Sequence, residues 1–558
     1  MVTAAKDFGL GRKQLSRIVI VMPQDNDPAQ ASGKKNGFLD HIERLGNKLP
    51  HPMSLFIIGA VVVLVLSQIA ATLGWSAELT TTEPDAAGNL VESTEVITAK
   101  GMLAGDGAFW AIDNLVVNFT EFAPLGVVLV GMLGIGVAER AGAIGALLKV
   151  AMLVTPERLL TPAMIFLGIM SSMALDAGYV VLPPIAAALF KSVGRSPLVG
   201  IASVFVGVSA GFSANLFITG LDPLLAGFST EGAQILDADY QVAATSNYWF
   251  MIISTVLLTG VGWAVTAVLV EPRYAQNPAE LGGPSPLTEE EAASRHVSAE
   301  EKKGLVCAGI TFLIFFVAII LLINPGPIFA TDMPLQGEAG PFPRWVKAIV
   351  PLLFFCFLLP GLAYGIAAKT VKSDHDVAKM MAKTMADMAP YIVLAFFAAQ
   401  FVALFKESNL GAMLAIKGGA ALSSVEMPPS LLIVAFILLV MVANLFIGSA
   451  SAKYAFFAPV FVPMFMTGAG ISPELTQAAY RVGDSCSNII TPLNPYVVII
   501  LVFMQKYMPK GGIGTLVALM LPYAIVFSIC WIALILIWMS TGLDLGPAGP
   551  LWYGEHGQ

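Results

Sequence analysis

Charged residues are scarce in this chain: 12% of its 558 residues, against 56% hydrophobic and a mean hydropathy of +0.78. Soluble domains carry about 25% charged residues, so a soluble globular fold is excluded. Cysteine is equally thin. The four present, Cys307, Cys356, Cys486 and Cys530, all sit in apolar stretches, which excludes a disulfide framework and a cysteine metal cluster. The five histidines, His41, His51, His296, His375 and His556, fall in tails or loops, which argues against a histidine proton relay. With a net charge of -8 and no basic patch interleaved with aromatics, nucleic acid is not a partner. A cleavable leader is not expected either, because the first 50 residues are polar and the first apolar run, Met53 to Trp75, is too long for one.

What the chain has instead is long apolar runs. They reach about 18 residues or more, the length that crosses a ~30 Å hydrocarbon core as helix, and they lack the alternation of a barrel strand. Ordinary spans are expected at about 53–75, 122–138, 248–270, 304–324, 346–368 and 389–407. Lys6, Arg12, Lys13, Arg17, Lys34, Lys35, Arg44 and Lys48 precede the first span, whereas the following loop holds only Lys100. That asymmetry places the N-terminus in the cytoplasm. Residues 1–36 read as a polar cytoplasmic tail, 37–270 as a first membrane half, 271–303 as a cytoplasmic linker, 304–541 as a second membrane half, and 542–558 as an external tail. Lys369 to Lys383 reads as another cytoplasmic linker. Nine crossings and two re-entrant hairpins satisfy an inside N-terminus and an outside C-terminus. The fold class is all-α, polytopic and inner-membrane.

The stretches 157–225 and 426–505 are apolar but punctuated by Gly, Pro, Ser and Asn. Such breaks are costly in lipid unless the freed backbone groups line a cavity or are buried in protein, and they are where transporters bind their cargo. The two stretches also match each other. Ala174-Leu-Asp-Ala-Gly-Tyr179, Pro184, Ser196-Pro197, Ser209 to Asn215 and Ile218-Thr-Gly-Leu-Asp-Pro223 answer Ala450-Ser-Ala-Lys-Tyr454, Pro459, Ser472-Pro473, Gly483 to Asn488 and Ile490-Thr-Pro-Leu-Asn-Pro495. Each reads as a re-entrant hairpin (158–173 then 179–191; 428–447 then 454–467), followed by a helix that opens at Ser-Pro and breaks at the Ser/Asn cluster. The orientations make the repeat inverted, the layout of an alternating-access carrier.

Several residues in these stretches carry chemistry. Asp176 lies at the first hairpin tip, with Ser451 at the matching place; an ionisable residue at membrane depth is a substrate or coupling candidate, or else a cap on the returning helix. Arg481 and Asp484 are three apart, so they either pair with each other or leave Arg481 for a substrate carboxylate. Ser213, Asn215, Thr219, Ser487, Asn488 and Thr491 offer neutral oxygens that either hold a desolvated sodium ion or cap the half-helices. Tyr454 offers an aromatic face, for a planar ligand or for packing. Asp113, Glu121, Asp222, Lys406 and Glu407 read as interfacial, Asp222 ending the first repeat near a surface. An intramembrane aspartyl protease and a channel are the competing classes.

Asp176-Ala-Gly-Tyr-Val-Val-Leu182, Gly211-Phe-Ser-Ala-Asn-Leu216, Ser451-Ala-Lys-Tyr454, Ala478-Ala-Tyr-Arg-Val-Gly-Asp-Ser485 and Asn488-Ile-Ile-Thr-Pro492 together resemble the aminobenzoyl-glutamate transporter (AbgT) family, over about Phe38 to Thr541 and including Glu43 to Pro52. The resemblance implies a homodimer of nine-helix, two-hairpin protomers with an inner scaffold and an outer transport part. It implies p-aminobenzoyl-glutamate as substrate, or export of p-aminobenzoate and sulfonamide drugs. It also implies roles for Asp176, Ser451, Pro473, Arg481, Asp484 and Pro492. Tyr454 stands where the family often has Trp. Coupling to protons or to sodium is expected, with no cofactor and no enzymatic activity.

Overall fold

The computed structural model describes residues 52–554, apart from 85–89, 175–176, 289–296, 324–334, 336, 340–341, 425–426, 492–493 and 495. Among these residues, seven helices are long and apolar enough to cross a membrane: Met53–Thr72, Pro124–Ala141, Tyr248–Tyr274, Ala299–Ile323, Ile349–Ala367, Ala389–Glu407 and Ile513–Thr541. The number rises to nine if each of two bent helix pairs is one span. The six expected spans lie within a few residues of observed helices. The helix Ala299–Ile323 keeps only 6% of its apolar window buried, so its sides meet whatever surrounds the protein.

The two punctuated stretches fold alike. In the first, α1 (Leu160–Met170) is followed across the tip by α2 (Ala177–Ser192), then α3 (Pro197–Phe205), a π-helical turn at Val206–Ala210, a break, and α4 (Leu221–Ala233). In the second, α5 (Pro429–Asn444), α6 (Ala450–Ala469) and α7 (Pro473–Ser487) precede a break and α8 (Val497–Gln505). Pro197 and Pro473 open α3 and α7, where a missing N–H costs nothing. Ser472 caps α7 by accepting from the Leu475 N–H at 3.0 Å, whereas Ser196 donates its hydroxyl to Gly282 O at 2.6 Å.

Glycine permits close crossings within each stretch. A Cβ on Gly207 would lie 2.9 Å from Gly168 Cα, so α1 meets the π-helical turn backbone to backbone. In the second stretch Gly483 of α7 does the same against α5, where a Cβ would fall 2.7 Å from Ile437 O.

The stretches also interlock. The helix after the first break, α4, packs on α6 and α7; the helix after the second, α8, packs on α2 and α3. Each break is thus covered by the other stretch, which keeps its freed backbone groups out of lipid.

Three features depart from the sequence reading. An all-α chain was expected, yet β1 (Ser76–Pro84) and β2 (Leu90–Thr98) form an antiparallel hairpin beyond the first span, built from the Thr- and Val-rich segments flanking Asp85 to Asn89. Lys369 to Lys383, read as a linker, is largely the helix Asp374–Asp387, so His375 sits in a first turn rather than a loop. That helix begins with a capping box between Ser373 and Asp376. Of the 271–303 linker, Glu271–Tyr274 prolongs the preceding span. The tail at 1–36 and the segment Glu43 to His51 lie outside the described residues.

Candidate substrate and coupling site

Every residue of α7 is buried, although the helix contains Glu474, Gln477, Arg481 and Asp484. These four recur at three- and four-residue spacing and therefore form one polar stripe on a helix inside the protein. An unpaired charge there would be expensive, so the partners are decisive.

Arg481 does not pair with Asp484. Its Nη2 donates to Asp222 Oδ1 at 2.6 Å, across from the start of α4. Expecting Asp222 near a surface was wrong for the same reason: it is fully buried, its Oδ2 accepting from the Thr219 N–H at 2.6 Å and the Thr219 hydroxyl at 2.9 Å. A residue in the first turn of a helix following a break faces inward when another helix crosses it, and α7 does. Arg481 Nη1 reaches only the sulfur of Met251, at 3.2 Å, and its Nε has no protein partner among the described residues. The guanidinium fork therefore holds one carboxylate oxygen with donor capacity left over.

Asp484 pairs with Lys453 of α6 at 2.6 Å. Lys453 Nζ also donates to Asn444 Oδ1 at 2.5 Å, and Asn444 Nδ2 in turn reaches Asp484 O, Ser487 Oγ and Asn488 Oδ1 at 2.8–2.9 Å. The Tyr480 hydroxyl donates to Ala450 O at 2.5 Å beside them. Four charges, none more than 2% exposed, thus cancel in two pairs along one helix.

Contacts across the two breaks follow a single offset. Ser213 donates its N–H to Ser485 Oγ at 3.2 Å, over 272 positions. The same offset takes Ser209 to Arg481 and Asp222 to Asn494, and Asn494 Nδ2 donates to Ser209 Oγ at 3.2 Å. It also takes Ser172 to Asn444 and Asn215 to Ser487. Asn215 donates to Ser172 Oγ, and Asn444 to Ser487 Oγ.

Against this geometry stand the comparisons with known proteins. The model of the AbgT transporter family matches residues 37–553. The chain belongs to the AbgT family. The p-aminobenzoyl-glutamate transport protein of Escherichia coli is 36% identical over 516 residues, covering 92% of this chain and 96% of that protein. Two solved structures are 42% identical. The YdaH transporter of Alcanivorax borkumensis superimposes with a TM-score of 0.78 over 89% of this chain and all of that one. MtrF of Neisseria gonorrhoeae, described among antimetabolite efflux pumps, superimposes with a TM-score of 0.82 over 92% of this chain and all of that one.

For an AbgT chain, the residues singled out from sequence fall as follows. Arg481, Asp484, Tyr454 and Pro473 meet on or against α7. Asp176 and Pro492 lie outside the described residues. Ser451 is partly exposed at the start of α6, its Oγ 3.2 Å from that of Ser449. Tyr454 is enclosed: its hydroxyl shares a 2.7 Å hydrogen bond with Ser229 Oγ, and its ring lies 4.3 Å from that of Tyr480, leaving no open face. Pro473 is buried as the first residue of α7. Of the neutral group, Ser213, Asn215, Thr219, Ser487, Asn488 and Thr491 line the two breaks; Thr219 serves Asp222, Asn488 Nδ2 reaches Asp484 Oδ2 at 3.4 Å, and the Thr491 N–H donates to Ser487 O at 3.2 Å. Asn215 Oδ1 is buried and accepts from no donor among the described residues.

The sequence reading missed Lys453, Asn444 and the burial of Asp222. Lys453 carried a usable signal, being a lysine inside a 20-residue apolar helix, where an ionisable residue demands a partner. Asn444 and Asp222 carried none, because only the crossing of α4 and α5 with α7 makes them partners.

Proposed function

We propose that this AbgT member is a secondary active transporter of p-aminobenzoyl-glutamate or a related aryl carboxylate, driven by a proton or sodium gradient. The observation that carries the reading is Arg481: buried, at a broken-helix crossing, holding one carboxylate through part of its fork. A substrate carboxylate matches the geometry that Asp222 now occupies. The likeness to the Escherichia coli p-aminobenzoyl-glutamate transport protein supports the substrate class. Asp176, Asp484, Ser451, Pro473 and Pro492 complete the proposed machinery, with sodium coupling favoured by the unsatisfied Asn215 oxygen and proton coupling by the buried carboxylates. Two inverted halves, two copies of the chain per assembly, the bacterial inner membrane, an inside N-terminus and an outside C-terminus belong to the same proposal.

The test is uptake of labelled p-aminobenzoyl-glutamate into proteoliposomes under sodium and pH gradients imposed separately in each direction. Acceleration by one gradient identifies the coupling ion. No uptake under any gradient transfers the reading to its second form, export of p-aminobenzoate and sulfonamide drugs, which the likeness to the efflux pump MtrF favours.

A further inference from the structure

We propose that Asp222 is an internal stand-in for the substrate carboxylate on Arg481, and that its displacement by substrate is accompanied by uptake of one proton on Asp222 Oδ1. This rests on the proposed function above and adds to it the residue that couples proton to cargo.

Three observations lead there. First, the carboxylate on Arg481 comes from a different helix system: Asp222 stands at the start of α4, 259 positions from Arg481, so the pair opens whenever α4 and α7 part. Second, the two oxygens of Asp222 have unequal duties. Oδ2 is held by the Thr219 N–H and hydroxyl, within three residues of its own chain, whereas Oδ1 has Arg481. When a ligand carboxylate takes Arg481, Oδ1 alone loses its donor. A buried carboxylate stripped of its cation is penalised strongly, and a proton on the abandoned oxygen removes the charge. Among the described residues, Arg481 pairs with Asp222 and Tyr248 lies within its electrostatic reach, while Tyr454 lies within electrostatic reach of Arg481 and of Glu474; none of these besides Arg481 is a cation. Third, the matching contact cannot do this. The same 272-position offset that links Ser213 to Ser485 takes the Asp222–Arg481 pair to Asn494 and Ser209, which are neutral and hold 3.2 Å apart. Of the two latches only this one contains a carboxylate, so the exchange moves one proton.

The exchange balances. Before it, Arg481 and ionised Asp222 cancel. After it, Arg481 and the ligand carboxylate cancel, and Asp222 is a neutral acid whose proton came from the buffer acid of the bulk solution, which is left as its conjugate base. By linkage, protonation favours ligand binding and the ligand favours protonation by the same factor, so binding strengthens as pH falls.

The experiment is calorimetric titration of the purified full chain in detergent with p-aminobenzoyl-glutamate, and separately p-aminobenzoate, in two buffers of different ionisation enthalpy, which counts protons taken up per ligand. The wild type is expected to take up about one proton per ligand, and Asp222→Asn about none. The variant should bind about tenfold more tightly, as expected if Asp222 occupies Arg481 some nine-tenths of the time. Thr219→Val, which removes one donor from ionised Asp222, should move the midpoint of pH-dependent binding upward by about half a unit. Proton uptake by Asp222→Asn equal to the wild type overturns the proposal. So does ligand binding by the wild type without proton uptake, whether or not the variant folds, or a Thr219→Val midpoint that stays in place. If the wild type binds neither ligand, the proposed function falls and this inference falls with it; binding without proton uptake ends this inference alone.

Discussion

At the scale of the residue, the site is governed by what a buried ion costs when its partner is missing. Lys453→Met leaves Asp484 buried and uncompensated, and breaking such a pair costs about 3–5 kcal/mol. Thermal unfolding in detergent should therefore show a large loss in the single variant and recovery of most of it in Lys453→Met with Asp484→Asn, because the second change removes the orphaned charge. Transport by the double variant then separates a coupling role for the pair from a purely structural one. Arg481→Ala is expected to abolish uptake of p-aminobenzoyl-glutamate, as is Asp176→Asn, in protein that still folds; normal flux in either would place that residue outside the machinery. Tyr454→Phe removes the hydroxyl shared with Ser229, which still donates to Gln477 Oε1 at 2.9 Å, so a loss of only about 1 kcal/mol is expected in the same unfolding measurement. At this scale the sequence was informative about which residue types matter and silent about who meets whom. Arg481 and Asp484 are neighbours on a helix surface, and that proximity suggested a pair; the three-dimensional crossings offered each a closer partner on another element.

At the scale of the element, the broken helices were legible because their causes are local. Proline at the first turn and the Ser/Asn clusters act within a few residues, so α1, α2, α5 and α6 lie close to the expected hairpin arms and α3 and α7 open at the expected Ser-Pro pairs. The amphipathic helix Asp374–Asp387 is not an apolar run, and its charged residues, Asp374, Asp376, Lys379, Lys383 and Asp387, give it the composition of a connecting segment. Its start gives a pH-dependent prediction. The Lys372 N–H, followed by the Ser373 hydroxyl and N–H, holds the Asp376 carboxyl below its usual value. A depressed pKa means that the cap's contribution is present above the unfolded-state value of about 3.9 and is lost as pH falls through the folded one. The protection of amides at the start of this helix, relative to intrinsic exchange at the same pH, should be high at neutral pH and fall in acid, and Asp376→Asn should remove that fall. At one tight crossing, Gly207→Ala places a methyl in collision with Ile165 O and 2.9 Å from Gly168 Cα and should lower the unfolding midpoint by the equivalent of about 1–3 kcal/mol, since neither backbone can yield easily.

At the scale of the whole molecule, the interlocking of the two stretches couples them, so neither can shift without changing its contacts with the other. Helices after each break grip the opposite stretch, so α4 cannot leave α7 without also changing its contact with α6. The similarity of the stretches was readable from their residues. Their interlocking was not, because it depends on which helices cross rather than on what either one contains.

The cancellation of Arg481 with Asp222 and of Lys453 with Asp484 has an electrical consequence. A unit charge carried across a membrane exchanges about 2.3 kcal/mol with each 100 mV of potential, whereas a neutral group exchanges none. These four side chains together bear no net charge, so any reorientation that carries them across the field without cargo draws nothing from the voltage. In current recordings from reconstituted protein, these two pairs should add no voltage dependence to the return of the empty site, so whatever voltage dependence the cycle shows should arise from the cargo, its companion ions and charges outside the two pairs, Glu474 of α7 first among them.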